Sequence, residues 1–166
     1  MGITDYVGID SDSNILDVIP AELKDKIRIV GVTKYLETLK AEPAFDRVVM
    51  IDVLEHFNPA EGAELLKALK LFLKKDGGIL IRVPNSGSPW GLNYQFGDLT
   101  HKAAYTSTSL KQLAYKAGYK CNVFENRTGN PRKQFLENIF HATINLFVTE
   151  KPEFWSANII GFLKPA

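Results

Sequence analysis

The sequence predicts an α/β protein with a doubly wound, mostly parallel sheet, and three observations support this fold class. Apolar runs of strand length alternate along the chain with amphipathic segments of helical length. Glycine and proline stand at the junctions between them. The run Val48–Ile51 is continuous and rich in β-branched residues, as in strands that are covered on both faces of a parallel sheet. Alternation of this kind predicts helices packed against one sheet.

The first quarter of the chain predicts short elements separated by polar turns. The expected elements are a strand over 4–10, a helix over 15–19, a turn over 21–26, a strand over 27–30 and a helix over 33–39. Asp10 closes the first strand and is followed by the polar cluster 11–14, which suits a cap. Thr33 is the expected cap of the second helix.

The centre of the chain predicts a complete strand–helix–strand unit. After the strand around Val48–Ile51, Asn58, Pro59 and Glu61 match the N-cap, the first helical position and the capping-box position of a helix. The helix carries one apolar stripe, and the Gly77-Gly78 pair is expected to end it before a buried strand over 79–83.

The second half of the chain predicts a long functional loop and a second set of elements. Pro84–Thr106 is rich in Gly, Ser, Pro and Asn, and a loop of this length inside a compact domain usually serves function. The expected elements after it are a helix over 107–117, a strand over 119–125, a helix that starts at 130–131 and a strand over 157–163. The last helix is apolar nearly all round, which favours burial against a partner chain, so that a homo-oligomer is one expectation.

Length and composition indicate one domain over residues 1–166. The chain has 45% hydrophobic residues, enough for a single sizeable core. Its formal net charge of +1 favours neither nucleic acid nor a membrane surface as a partner. The single cysteine, Cys121, excludes an internal disulfide, and no leader or membrane span is evident. We therefore expect a cytoplasmic protein.

Polar residues follow the central strand. Because ligands of parallel sheets bind beyond the carboxyl ends of the strands, Asp52, Glu55 and His56 are candidates for a functional site. Asp52 alternatively caps the next segment, and His56 alternatively is a surface histidine. Carboxylate and histidine ligands from Asp52, Glu55, His56 and His101 are a possible metal site, but their spacing does not match a metal motif, and we expect no metal.

A second candidate group lies in the stretch Gly97–His101. Asp98 is placed to orient His101, whose pKa near neutrality suits it to take a proton from a hydroxyl. The alternative is a loop in which Asp98 and Thr100 make only local bonds to the backbone. Trp90, Tyr94 and Tyr105 could pack on a sugar face or anchor the loop to the core.

Three segments in this order resemble the class I S-adenosylmethionine-dependent methyltransferases: YVGID, FDRVVMIDVLEHF and LKKDGGILIRVPN. The resemblance implies a Rossmann-like methyltransferase fold with S-adenosylmethionine as the cofactor. It assigns the cofactor ribose to Asp10 with Ser11 beside it, adenine to Val32 or Thr33, and the methionine part to Asp52, Val53, Leu54 and His56. Because the methyl sulfonium is already activated, we expect few catalytic residues, and Asp98 and His101 are the predicted catalytic pair.

The segment from Ser88 to Leu110 resembles a subgroup associated with saccharide and cell-surface polymer biosynthesis. We therefore expect a small-molecule or saccharide hydroxyl as methyl acceptor. The residues expected to bind this substrate are Asn85, Trp90, Tyr94 and Tyr105.

The family begins with a strand and a glycine-rich turn, whereas only Met1–Thr4 precede the strand that ends at Asp10. We therefore expect a sheet without its first strand and helix. A truncated chain, completion by another chain and a fold without cofactor remain open as explanations. The alternative function is a non-catalytic methyltransferase-like domain that works through association with another chain. A nicotinamide-dependent dehydrogenase needs the same glycine-rich turn and does not explain DVLEH.

Overall fold

The computed structural model describes residues 5–127 and 129–166, and the chain divides into two compact units, Met1–Glu42 and Pro43–Ala166. The first unit contains two parallel strands, β1 (Gly8–Asp10) and β2 (Ile27–Ile29). Its helices are α1 (Ile15–Val18), a 3-10 turn over Ala21–Lys26 and α2 (Val32–Glu37). Each element predicted here is present: both strands and α1 are shorter than predicted, the turn has the predicted bounds, and α2 begins one residue and ends two residues earlier. Thr4, the first residue of the predicted strand, lies outside the described residues. The single domain expected over residues 1–166 stays a prediction.

The second unit is built on a four-stranded sheet. Its strands are β3 (Phe45–Ile51), β4 (Leu73–Pro84), β5 (Tyr119–Glu125) and β6 (Asn158–Pro165). Their order across the sheet is β3-β4-β6-β5. β3 and β4 are parallel, whereas β6 runs antiparallel to both of its neighbours. Three of the four strands thus point the same way, and the predicted α/β class with a mostly parallel sheet is confirmed.

Four helices accompany this sheet: α3 (Pro59–Lys70), α4 (Pro89–Phe96), α5 (Ser107–Lys116) and α6 (Pro131–Ile144). The capping box predicted for α3 is present, because the Asn58 side chain accepts from the Glu61 amide while the Glu61 carboxylate accepts from the Asn58 amide. Gly118 ends α5 with a φ of +83°, a conformation that favours glycine.

Three predicted boundaries are wrong. Gly31, rather than Thr33, is the N-cap residue of α2. The Gly77-Gly78 pair lies inside β4 instead of ending α3, because the chain leaves the helix at Leu71 and enters the strand at Leu73. The long connection after β4 is not a continuous loop, since Ser88 caps α4 within it.

The expectation that the central strand is covered on both faces is also wrong. β3 is an outer strand of its sheet, with β4 as its one partner among the described strands. Val49 is 61% exposed and Ile51 43% exposed, while Met50 between them is buried. Because side chains alternate across a strand, one face of β3 is covered and the other is accessible.

The core of the second unit lies between the sheet and helices α3 and α5. Its fully buried members include Leu66, Ile81, Leu110 and Leu163, and each such side chain stabilises the fold by about 1.5–3 kcal/mol relative to an exposed one. The Tyr119 hydroxyl donates a hydrogen bond of 2.8 Å to the Leu66 carbonyl inside this core. No helix among the described residues is long and apolar enough to cross a membrane.

Candidate functional site

The turn after β3 is fixed by a charged pair. Asp52 adopts a φ of +52°, a conformation that aspartate tolerates better than most residues. Arg82 on the neighbouring β4 donates from Nε to Asp52 Oδ1 at 3.1 Å and from Nη2 to Oδ2. The Asp52 carboxylate is therefore engaged by Arg82, and the chain turns away from the sheet into the short 3-10 turn Leu54–His56.

Glu55 is the buried charge of this turn. Its side chain has no exposed surface, and neither carboxylate oxygen has a hydrogen-bond partner among the described residues. Burial raises the pKa of Glu55 to about 7, and the Asp52 carboxylate pushes the pKa in the same direction. An unpartnered buried carboxylate is costly, so Glu55 indicates a site with a task beyond packing.

The loop that carries His101 is attached to the backbone of Glu55. The amides of Lys102 and Ala103 donate to the Glu55 carbonyl at 2.8 and 3.1 Å. Nδ1 of His101 lies 2.9 Å from the Gln95 carbonyl. A carbonyl can only accept, so Nδ1 carries the hydrogen and Nε2 of neutral His101 is left with its lone pair. These bonds place an oriented imidazole beside Glu55.

His56 belongs to the same group of side chains. Its ring lies edge-on to that of His101, with centroids 4.7 Å apart. The Thr100 hydroxyl donates to Asp98 Oδ1 at 2.6 Å and lies 3.0 Å from His56 Nδ1. Because the hydroxyl hydrogen points at Asp98, Nδ1 of His56 must be the donor to Thr100, which leaves Nε2 of His56 with its lone pair.

Asp98 acts on His101 differently from the sequence-based expectation. Asp98 Oδ2 is 3.8 Å from His101 Nε2, beyond hydrogen-bonding distance, so the Gln95 carbonyl fixes the ring instead. The Thr100 hydroxyl and amide lower the pKa of Asp98, which therefore stays ionised. The predicted catalytic pair is brought together, with Thr100 and Gln95 as additional partners.

A cavity of about 460 Å³ is lined by other residues of the second unit. Trp90 and Tyr94 of α4, two of the predicted substrate-binding residues, line it together with Trp155 and His141. His141 stacks on Trp155 with ring centroids 4.6 Å apart and accepts a hydrogen bond of 3.1 Å from Trp90 Nε1. The volume and the aromatic walls are typical of small-molecule sites.

The other two predicted substrate-binding residues lie in the core. Asn85 donates through its side-chain amide to the Phe154 and Ser156 carbonyls and accepts from the Gly87 amide. Tyr105 is buried, and its hydroxyl has no partner among the described residues. A contact of either residue with substrate stays a prediction.

The residues predicted to hold the cofactor fall into both units. In the first unit, Asp10 ends β1, Ser11 follows it in an exposed bend, and Val32 and Thr33 begin α2. Asp10 Oδ1 accepts from the Asp12 amide at 2.8 Å, as the capping alternative expects, while Oδ2 makes no hydrogen bond within the described part of the chain. A free carboxylate oxygen at the carboxyl end of a parallel strand fits the hydroxyls of a ribose. In the second unit, Val53 is half-buried and Leu54 fully buried, so Leu54 can offer only its backbone.

Sequence reasoning missed several members of these sites. Gln95 acts through its backbone carbonyl, which no side-chain pattern reveals, and Thr100 was noted only as a local bond former. Trp155 and His141 come from segments distant in sequence from Trp90, and no periodicity connects them. Glu55 was among the sequence-based candidates, but its complete burial without a hydrogen-bond partner was not predictable, because acids are rarely fully buried.

Comparison with solved structures shows the fold. The chain is similar to a S-adenosylmethionine-dependent methyltransferase from Archaeoglobus fulgidus, with 19% identity, a TM-score of 0.70, and 95% of this chain and 75% of that chain covered. It is also similar to a possible histamine N-methyltransferase from Thermotoga maritima, with 16% identity and a TM-score of 0.63. The match covers 97% of this chain and 73% of that chain. The mitomycin 7-O-methyltransferase MmcR has 15% identity and a TM-score of 0.58, with coverage of 92% and 38%.

The family assignment comes from the sequence itself. A search of curated proteins found no match. Residues 2–122, well over half of the chain, match the family described as Methyltransferase domain. The resemblance noted in YVGID, DVLEH and the β4 segment is thereby confirmed, and S-adenosylmethionine is the cofactor. The chain belongs to the methyltransferase domain family.

Proposed function

We propose that this protein transfers the methyl group of S-adenosylmethionine to a hydroxyl of a small molecule or a saccharide. The observation that carries the proposal is His101, whose Nδ1 is committed to the Gln95 carbonyl while Nε2 is free to take a proton. His101 lines a cleft of about 240 Å³ with Asp98 and Phe96. A hydroxyl, unlike an amine, has to lose its proton as it attacks, and a histidine suits that step.

The cofactor supplies an activated methyl group on a sulfonium, so the protein has mainly to align and deprotonate the acceptor. Asp10 and Ser11 would hold the ribose, Val32 or Thr33 the adenine, and the stretch Asp52–His56 the methionine part. Asp98, kept anionic by Thr100, stabilises the imidazolium that forms when His101 accepts the proton.

The aromatic cavity supports a saccharide as the acceptor. Trp90, Tyr94 and Trp155 present flat apolar faces, while Glu125, Arg127 and Asn138 line the same cavity with polar groups. Sugar rings combine apolar faces with hydroxyl edges, and such a lining matches both. The formal net charge of +1 supports a substrate other than a nucleic acid.

The test is methyl transfer by the purified chain, followed as adenosylhomocysteine release with saccharide acceptors and with matched deoxy analogues that lack one hydroxyl. We expect turnover that requires the hydroxyl, and a loss of kcat by roughly 10²–10⁴-fold in His101→Gln. Cofactor affinity, measured by isothermal titration with adenosylhomocysteine, should be unchanged in this variant. Turnover restricted to amine acceptors or to RNA, with no effect of His101→Gln, would refute the proposal.

A second candidate function is association through α6, favoured by one specific observation. None of its residues is buried, and Phe135, Leu136, Ile139 and Phe140 are 50–64% exposed. A second copy of this chain would cover such a face by a two-fold contact of like with like. Light scattering should report a dimer that Leu136→Asp converts to a monomer, and a monomeric native chain would exclude this association.

A further inference from the structure

Three potential metal ligands converge in the second unit, and they are named here the Glu55 cluster: Glu55, His56 and His101. One ligand atom of each lies within 4.8 Å of those of the other two. The ligands of one tetrahedral zinc ion stand about 2.0–2.2 Å from the metal and therefore ~3.4 Å from each other. The ligand atoms would have to approach one another by up to roughly 1.4 Å to close on an ion, a change within reach of side-chain torsions.

The protonation pattern of both histidines suits metal binding. Each ring donates its Nδ1 hydrogen to another group, His101 to the Gln95 carbonyl at 2.9 Å and His56 to the Thr100 hydroxyl at 3.0 Å. Nε2 of each ring therefore has a free lone pair. Histidines that bind metals usually have their second nitrogen held by a carbonyl, carboxylate or similar acceptor, which fixes the tautomer and the ring orientation. Thr100 in turn donates to the Asp98 carboxylate at 2.6 Å, so that His56 has an extended outer shell.

The burial of the Glu55 carboxylate is a second observation, independent of the histidines, that points to a bound ion. It is completely buried, and neither of its oxygens is hydrogen-bonded to any described residue. A buried carboxylate is tolerated when it is paired or coordinates a metal. Asp98 Oδ2 lies 3.8 Å from His101 Nε2, outside this group of three ligands.

We propose that the Glu55 cluster binds a divalent transition metal ion of the zinc class, through the Glu55 carboxylate and Nε2 of His56 and His101. Imidazole nitrogen with carboxylate oxygen favours zinc, iron or cobalt over magnesium or calcium, which prefer oxygen ligands alone. Metal binding goes beyond the methyl transfer proposed above and does not depend on it. Because His101 cannot be base and ligand at once, a bound ion would instead lower the pKa of an acceptor hydroxyl, and the proton would pass to Asp98 or to solvent.

The test is metal binding by the full chain without a histidine tag, after treatment with a chelator. Co²⁺ is titrated and its visible d–d absorption followed, and Zn²⁺ affinity is measured by competition with a chromophoric chelator. We expect one equivalent to bind with micromolar or tighter affinity and with the absorption of a low-coordinate nitrogen–oxygen site. His56→Ala and His101→Ala should each weaken binding by about 100-fold or more, since loss of an outer-shell partner alone costs on the order of 10–100-fold.

His141→Ala is the matched control, because His141 is the third histidine of the chain and lies in the aromatic cavity outside the cluster. It should retain native affinity. Thr100→Val keeps both histidine ligands and removes the hydroxyl that contacts His56 and Asp98, so it should weaken binding by on the order of 10-fold in a chain whose thermal unfolding is unchanged. Absence of one-equivalent binding, or binding that survives both His56→Ala and His101→Ala, would overturn the proposal.

Discussion

Asn85 offers a direct test of whether a sequence-predicted substrate residue is instead a structural one. Its buried side chain makes three hydrogen bonds, with the Phe154 carbonyl at 3.0 Å, the Ser156 carbonyl at 3.0 Å and the Gly87 amide at 3.1 Å. Each such bond is worth about 1 kcal/mol net. Asn85→Ala should therefore lower the free energy of unfolding by about 3 kcal/mol, because it leaves three backbone groups without their hydrogen-bond partner.

The measurement is urea unfolding followed by circular dichroism, with the midpoint and slope fitted for each variant. Asn93→Ala, at an exposed position of α4, is the control and should change the free energy of unfolding by less than about 0.5 kcal/mol. If Asn85→Ala kept its native stability while the KM for the methyl acceptor rose, the amide would face the substrate, and the structural reasoning would be refuted.

Two further predictions concern a buried acid and a glycine. The pKa of Glu55, raised from 4.5 to about 7, means that between these pH values the folded protein holds a proton that the unfolded chain has lost. In chelator-treated protein, the free energy of unfolding should therefore fall by roughly 3 kcal/mol as the pH rises from 4.5 to 7. Urea unfolding of Glu55→Gln should show no such fall. An equal pH dependence in the native protein and the variant would contradict the prediction. A Cβ at Gly91 would overlap the Asn85 carbonyl and stand 2.8 Å from the Ala157 oxygen, so Gly91→Ala should lower Tm by an amount equivalent to about 3 kcal/mol. Gly31→Ala, where a Cβ meets nothing within 4 Å, should leave Tm nearly unchanged.

Local chemistry made much of the fold predictable from sequence. Asn58 and Asn130 precede proline at helix starts, and both accept hydrogen bonds from backbone amides as N-caps. Boundaries failed where tertiary pairing overrides local preference. The Gly77-Gly78 pair was expected to end a helix, but Gly78 pairs with Arg47 in the register of β4 against β3. Which face of β3 is covered could not be predicted either, because a continuous apolar run does not reveal the position of a strand in its sheet.

The residues of the candidate site were predicted from the sequence, but the hydrogen bonds that position them were not. His56, Asp98 and His101 were all expected, on chemical grounds, to serve function. Their hydrogen-bonding partners depend on how the turn after β3 meets the loop after α4, and that meeting is made by backbone groups such as the Gln95 and Glu55 carbonyls. Sequence patterns contain information on side chains, so the reactive groups of the site can be predicted. Their geometry is set by backbone hydrogen bonds, which leave no pattern in the sequence.

The main chain and the side chain of Glu55 have separate roles. Its backbone carbonyl holds the loop of His101 through the amides of Lys102 and Ala103, whereas its side chain makes no hydrogen bond in the described structure. One residue thus fixes the loop through its main chain and, in the metal site proposed above, serves as a ligand through its side chain. Replacing the carboxylate by an amide of the same shape removes a charge from the cluster and leaves the two backbone bonds available. At this position, the effect of the side-chain charge can therefore be measured separately from the effect of the backbone hydrogen bonds that hold the loop. For a buried acid whose side chain makes hydrogen bonds of its own, this separation is rarely possible.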